Sequence, residues 1–202
     1  MLTAKFTKRI QAAARMGLAS ILEHLSHRPD FNDVHGVAIC TIPDATSVYW
    51  SAETKAQRDE RVQGIHARIP VSSTERQWTQ AEILSMFQYE PADWPVVDPA
   101  GGPYLLQDLN AALDDYWTRL ENSPLLNLLI SSDRAVAGVM SALAAGMKSA
   151  ITEFRQQSAP VPDLLLLAWV NDPDDPEVVR NLARQLNPEA LFNEFSKSYY
   201  SS

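Results

Sequence analysis

Four histidines, one cysteine and a few tight groups of acids are the residues of this chain whose types and spacing could do chemistry. Glu23, His24 and His27 place a carboxylate and two imidazoles at the end of a helical stretch, with His35 a few residues on. A spacing of three sets His24 and His27 on one side of a helix. A zinc site wants three or four ligands at a recognisable spacing, and no second cluster completes this one. No metal and no cofactor is expected, since a histidine near a helix C-terminus is already favoured by the helix dipole. Asp172, Asp174, Asp175 and Glu177 crowd one turn, but Pro173 and Pro176 interrupt the calcium-loop pattern and its central glycine is missing. The neighbours Asp114-Asp115 and Asp174-Asp175 diverge, whereas an acid–base pair must converge. The nearest pattern to a nucleophile elbow, Gly138-Val139-Met140-Ser141, lies inside a helix. Gly101-Gly102 runs into Pro103 and not into a phosphate-cradling helix. No residue is assigned a catalytic role, and an enzyme is not expected.

The elements that would position these residues can be read from periodicity. Residues 3–27 repeat apolar positions at helical spacing with a basic face outward. Pro29-Asp30-Phe31-Asn32-Asp33 ends that helix. Val34–Ile42 alternates and is β-branched, and Cys40 reads as a small apolar side chain on this strand. Ser47–Trp50 is a shorter partner across the turn Pro43-Asp44-Ala45-Thr46, so the pair predicts an antiparallel hairpin. Glu53–Val62 reads as an exposed short helix and Ile65–Val71 as a third strand. The main loop, 91–103, holds four prolines and two glycines along with Asp93, Trp94 and Asp98.

A helical region follows over 104–156, with a break at Pro124. Its stripe of small residues (Ala135, Gly138, Ala142, Ala145 and Ser149) reads as a packing surface. Of the tryptophans, Trp117 and Trp169 fall on apolar faces, while Trp50, Trp78 and Trp94 sit at element ends or in loops, where a binding anchor competes with a core or loop-pinning role, the commoner one for each. The run Leu164–Val170 predicts a strand buried on both faces and central in its sheet. Asp172 or Asp174 then caps a helix over Val178–Leu186, and Asn187 caps another from Glu189. The C-terminal strand and helices span 164–197. The expectation is one α+β domain over residues 1–202, a small mainly antiparallel sheet flanked by several helices.

Charge narrows the partner. With 17 Lys+Arg against 25 Asp+Glu the formal net charge is −8, on a chain 46% hydrophobic and 21% charged. That balance disfavours nucleic acid, whose phosphates call for clustered bases. The charge is uneven. Residues 1–28 carry five bases and one acid, and residues 160–177 five acids and no base. The longest unbroken apolar run is too short for a membrane span, and no signal-peptide pattern opens the chain. No membrane association and a cytoplasmic location are expected.

The C-terminal third, from Leu164-Leu165-Leu166-Leu167-Ala168-Trp169-Val170 through Asn171-Asp172-Pro173 to Arg184-Gln185-Leu186-Asn187-Pro188-Glu189, resembles the end of the bacterial family called domain of unknown function 4303. Arg76-Gln77-Trp78-Thr79-Gln80-Ala81-Glu82 is similar to that family's Arg-Trp-x-x-x-Glu stretch. Where the family has an Asn-Thr-Glu-like motif, this chain has Trp50-Ser51-Ala52-Glu53-Thr54, so no role of that Asn carries over. The resemblance implies a small cytoplasmic protein encoded beside secreted polymorphic toxins. That is the setting of an immunity protein, which binds and neutralises a cognate toxin domain by occluding its active site. A toxin that acts on nucleic acid or a nucleotide would present a basic site, and an acidic inhibitor gains on-rate and orientation from complementary charge. The partner surface expected on this basis is Asp172, Asp174, Asp175 and Glu177, with Asp93, Trp94 and Asp98 from the long loop. Two other readings stand beside it. One is an enzyme using His24, His27 or His35 with a carboxylate. The other is a scaffold or adaptor assembling through the 124–154 helix.

Overall fold

Phe6, Ile10, Ala13, Ala14, Leu18, Ile21, Leu22 and Leu25 recur every three or four residues and are all buried. They make Leu2–Ser26 one amphipathic helix, α1. The computed structural model describes residues 2–68, 89–94, 96–97, 105–124, 130–157, 163–171, 173 and 175–199. After a single turn of 3-10 helix at Phe31–Asp33 come β1 (Val34–Thr41) and β2 (Val48–Thr54), paired antiparallel. Helix α2 covers Lys55–Arg68, and a second 3-10 turn at Pro91–Asp93 leads to the two-residue strand β3, Val96–Val97. Helices α3 (Gln107–Glu121) and α4 (Ser132–Gln157) precede β4 (Leu165–Val170), and α5 (Pro176–Leu186) and α6 (Glu189–Tyr199) close the described chain. The sheet order is β3-β2-β1-β4, with β1 and β4 parallel and the other pairs antiparallel. The fold is α+β, as the sequence predicts.

Residues paired across strands point to the same side of a sheet. Gly36, Ala38 and Cys40 of β1 therefore share a face with Tyr49, Ser51 and Glu53 of β2, and with Leu165, Leu167 and Trp169 of β4. The opposite face carries Val37, Ile39, Trp50, Ala52, Leu166 and Ala168. Helix α1 lies on that second face, with the His24 ring edge-on to Trp50 at 6.2 Å. Helix α4 crosses α1 so closely that a Cβ at Gly146 would run into the Gln11 carbonyl. The small residue at this crossing is Gly146. Gly138, in the stripe read as packing, has open space above it. By length and apolar composition α4 could cross a membrane, yet 56% of its apolar window is buried in the fold, as in a core helix.

Several elements depart from the sequence expectation. Strand β2 runs on to Thr54, so Glu53 is a strand residue and α2 starts at Lys55. The turn is a reciprocal capping box. Gln57 N donates to Thr54 Oγ1 at 3.2 Å, and Thr54 N donates to Gln57 Oε1 at 3.0 Å. Residues 65–68 form the last turn of α2 and not a strand; residues 69–71 lie outside the described residues. The third strand is instead Val96–Val97, inside the proline-rich loop, where it pairs with Ala52 and Ser51.

Strand β4 is buried on both faces but sits at the sheet edge. Its outer backbone is closed by a side chain: Leu166 N donates to Asn187 Oδ1 at 2.8 Å, and Asn187 Nδ2 donates to the Leu166 carbonyl at 2.7 Å. A primary amide offers a donor and an acceptor side by side, as a paired strand does, so the edge needs no further strand. The Asn187 side chain thus serves β4 and the Ala183 carbonyl, not the start of α6. On the other side Asn110 of α3 makes the same double bond to Val48 of β2, at 2.8 and 3.0 Å. Replacing Asn187 by Ala orphans a strand N–H and a carbonyl. It is expected to lower the unfolding free energy in a urea titration by about 2 kcal/mol or more.

Candidate functional site

The strongest concentration of buried polar chemistry is at the start of β1. The pairing register shifts between Val34 and Gly36, so His35 is an extra residue in the strand. Without this bulge His35 would alternate away from Gly36 and Glu53; a bulge re-aims such a side chain. His35 Nε2 lies 3.1 Å from Glu53 Oε2. Arg61, two turns into α2, donates from Nε to Oε1 at 2.7 Å and from Nη2 to Oε2 at 2.9 Å. Glu53 is 1% exposed. Burial pushes its carboxyl up, but His35 and Arg61 together outweigh that and hold it below its ordinary range.

Both carboxylate oxygens are therefore engaged, and the group acts as a fixed anion that fastens α2 to the sheet. Outside it a cavity of about 520 Å³ runs along α2, between Gln57, Arg61, Gly64 and Arg68 on one wall and Asp93 on the other. Among the described residues no three of His, Cys, Asp and Glu are placed to hold a metal ion. His24 and His27 are exposed at the end of α1, and His35 is committed to Glu53. Cys40 is buried, its Sγ 3.6 Å from Ser51 Oγ, and burial pushes its thiol up to about 12.

The residues expected to face a partner are distributed differently. Trp94 is a correction: it is 0% exposed and belongs to the core. Its indole lies on Gly36, where a Cβ would come within 2.6 Å of Cη2, and it meets the His35 ring at 5.6 Å. The shallow floor of Gly36 and Ala38 leaves room for that ring, and a loop tryptophan without helical or strand periodicity gave no sign of it. Trp50, also at an element end in the sequence, is likewise buried. Asp93, beside Trp94, is exposed. Asp175 is the N-cap of α5, accepting from Glu177 N at 3.0 Å. Glu177 is exposed and ion-paired to Arg180. Asp172, Asp174 and Asp98 lie outside the described residues, as does Trp78.

Asp175 and Glu177 are brought to a place with further features. Helix α5 runs back along β4, since Asn187 at its end bonds Leu166 near the start of that strand. The first turn of α5 thus lies at the far end, where β1 and β4 finish side by side and Asn171 N donates to the Thr41 carbonyl at 2.9 Å. Ile42, directly after β1, is 40% exposed, and Val178 in α5 is 37% exposed. Between the strand ends Asn171 Nδ2 donates to the Tyr49 hydroxyl at 3.0 Å. Burial pushes that hydroxyl up, with a smaller push from the Asp93 charge. Asp44, in the hairpin loop, holds Thr46 N at 3.2 Å. This end of the sheet therefore presents two exposed aliphatic side chains and a half-buried tyrosine among acids. Sequence reasoning picked out Asp93, Asp175 and Glu177 and missed Ile42, Asp44, Tyr49 and Val178; an isoleucine between a strand and Pro43 was the available signal.

No family model, no curated protein and no solved structure matches this chain.

Proposed function

We propose that this protein is a cytoplasmic, immunity-type inhibitor that neutralises a cognate toxin domain through the end of the sheet where β1 and β4 finish. The observation that carries this reading is the exposure of Ile42 and Asp44 just after β1 and of Asp175, Glu177 and Val178 at the start of α5, two segments that follow strands ending side by side. An apolar centre with a charged rim is the anatomy of a protein interface, and an acidic rim fits a basic partner. The net charge of −8 and the family resemblance in the C-terminal third support the same choice. Inhibition then needs no chemistry from this chain, only occlusion.

The test starts from the neighbouring genes: a secreted toxin domain is expected among them, and it is co-expressed with this protein, followed by pull-down and a growth assay. Wild-type protein is expected to bind and restore growth. The double variant Ile42→Asp, Glu177→Lys is expected to fold normally, because both positions are exposed, and to bind about 30-fold more weakly or worse. No complex and no rescue by the wild type would overturn the proposal.

One observation favours a second reading. His35 and Glu53 do form a His/carboxylate pair, the first requirement of an enzyme using His35, and Arg61, which holds Glu53, lines a cavity. The clamp on both Glu53 oxygens supports a structural role over proton transfer.

A further inference from the structure

A separate hollow lies on the helical side of the molecule, between α1, α3 and the first turns of α4. It encloses about 300 Å³, at the small end of the range for ligand pockets. Its floor is Ile10 and Val139, both buried, with Ile130 at one side. Gly138 keeps it open, because a Cβ at that position would meet nothing within 4 Å. Among the described residues of the lining, Thr7, Tyr116 and Arg134 supply the polar groups, and Arg134 is the charged one.

Among the described residues the Arg134 guanidinium has no ion-pair or hydrogen-bond partner. Its backbone N–H, near the start of α4, donates to Ser131 Oγ at 3.4 Å. The Tyr116 hydroxyl likewise has no hydrogen-bond partner among the described residues, while its ring packs on Phe6 and Trp117. The other charges nearby are Asp133, exposed beside Arg134, and the group Arg9, Asp115 and Arg119, which is paired within itself.

We infer that this hollow is a binding site for an aliphatic monocarboxylate, with its chain on Ile10, Ile130 and Val139 and its carboxylate on Arg134 and Tyr116. The apolar floor disfavours a wholly polar ligand. The charged group on the lining selects an anion, and a planar guanidinium matches a carboxylate with two parallel N–H bonds. The inference is independent of the inhibitor proposal, since this site lies on a different set of elements.

Sodium decanoate is the probe, with decanol as its uncharged control, titrated into the full chain while the methyl resonances of Ile10, Ile130 and Val139 are followed. Decanoate is expected to shift them saturably, with decanol about tenfold weaker or worse. Arg134→Gln should weaken decanoate by a similar factor and leave decanol unchanged. Gly138→Leu should fill the hollow and remove both responses without lowering the thermal midpoint, because the space is empty and leucine favours a helix. No saturable shift, equal affinity for the two probes, or retained binding in Gly138→Leu would each overturn the inference.

Discussion

Glu53→Gln is expected to lower the unfolding free energy by about 3–5 kcal/mol, the usual loss when one member of a buried ion pair is removed. Glutamine keeps the shape but not the charge, so the Arg61 guanidinium loses the anion that it clamps at 2.7 and 2.9 Å. Domains of this size are stable by roughly 5–15 kcal/mol, so the variant should sit close to its unfolding transition at ambient temperature. The pH dependence carries a sign. The folded Glu53 carboxyl titrates below its ordinary value, and an unfolded glutamate titrates near about 4.3. Its contribution is therefore complete above that pH and is lost as the pH falls through the lower, folded value. Asp30, Asp115 and Glu153 are also shifted down by arginines, so among the described residues alone the wild-type profile mixes four groups. The difference between wild-type and Glu53→Gln urea midpoints, measured from pH 7 to pH 3, removes the other three. It should shrink toward acid pH; a constant difference would rule out an ionised Glu53 as the source.

Trp94→Ala is the second large effect, expected at about 3–5 kcal/mol by the same titration, as for other fully buried aromatic residues. The indole is 0% exposed and fills the space over Gly36, and nothing on Gly36 can grow into the gap. Trp94→Phe should retain most of the stability. It keeps a ring on the glycine and deletes an indole N–H that has no partner among the described residues, which offsets part of the lost volume. A partner-facing tryptophan would behave in the opposite way, leaving stability untouched and weakening a complex. Unchanged urea midpoints in Trp94→Ala would therefore return this residue to the surface.

How these residues came to be placed differs between local and long-range signals. Helix α1 was legible because its apolar positions keep one period for six turns, and the structure ends it at Ser26 where Pro29 and Asp30 predict a stop. The cap on α5 was legible in kind, since Asp before Pro and Glu is a helix start; the structure uses Asp175 for it. The Thr54-Lys55-Ala56-Gln57 box was legible too, and overlooking it moved Glu53 from a strand to a helix. Other features depend on partners far away in the chain. Asn187 bonds a strand backbone 21 residues earlier and Asn110 one 62 residues earlier, and neither residue type announces such a bond. The end of the sheet proposed for docking joins the termini of two parallel strands more than 120 residues apart in the chain.

By itself the sequence determined an acidic α+β chain, most of its long helices, the first hairpin, a strand at Leu164–Val170 buried on both faces and a net charge that disfavours nucleic acid as a partner. These follow from periodicity and composition, which act over a few residues. Only the tertiary structure decided which strand lies at the edge, that Trp94 is core, that Glu53 is an anchored anion, and which apolar side chains stand among the acids. Those outcomes depend on what packs across each position, and burial there is set by chain segments that the local sequence does not contain.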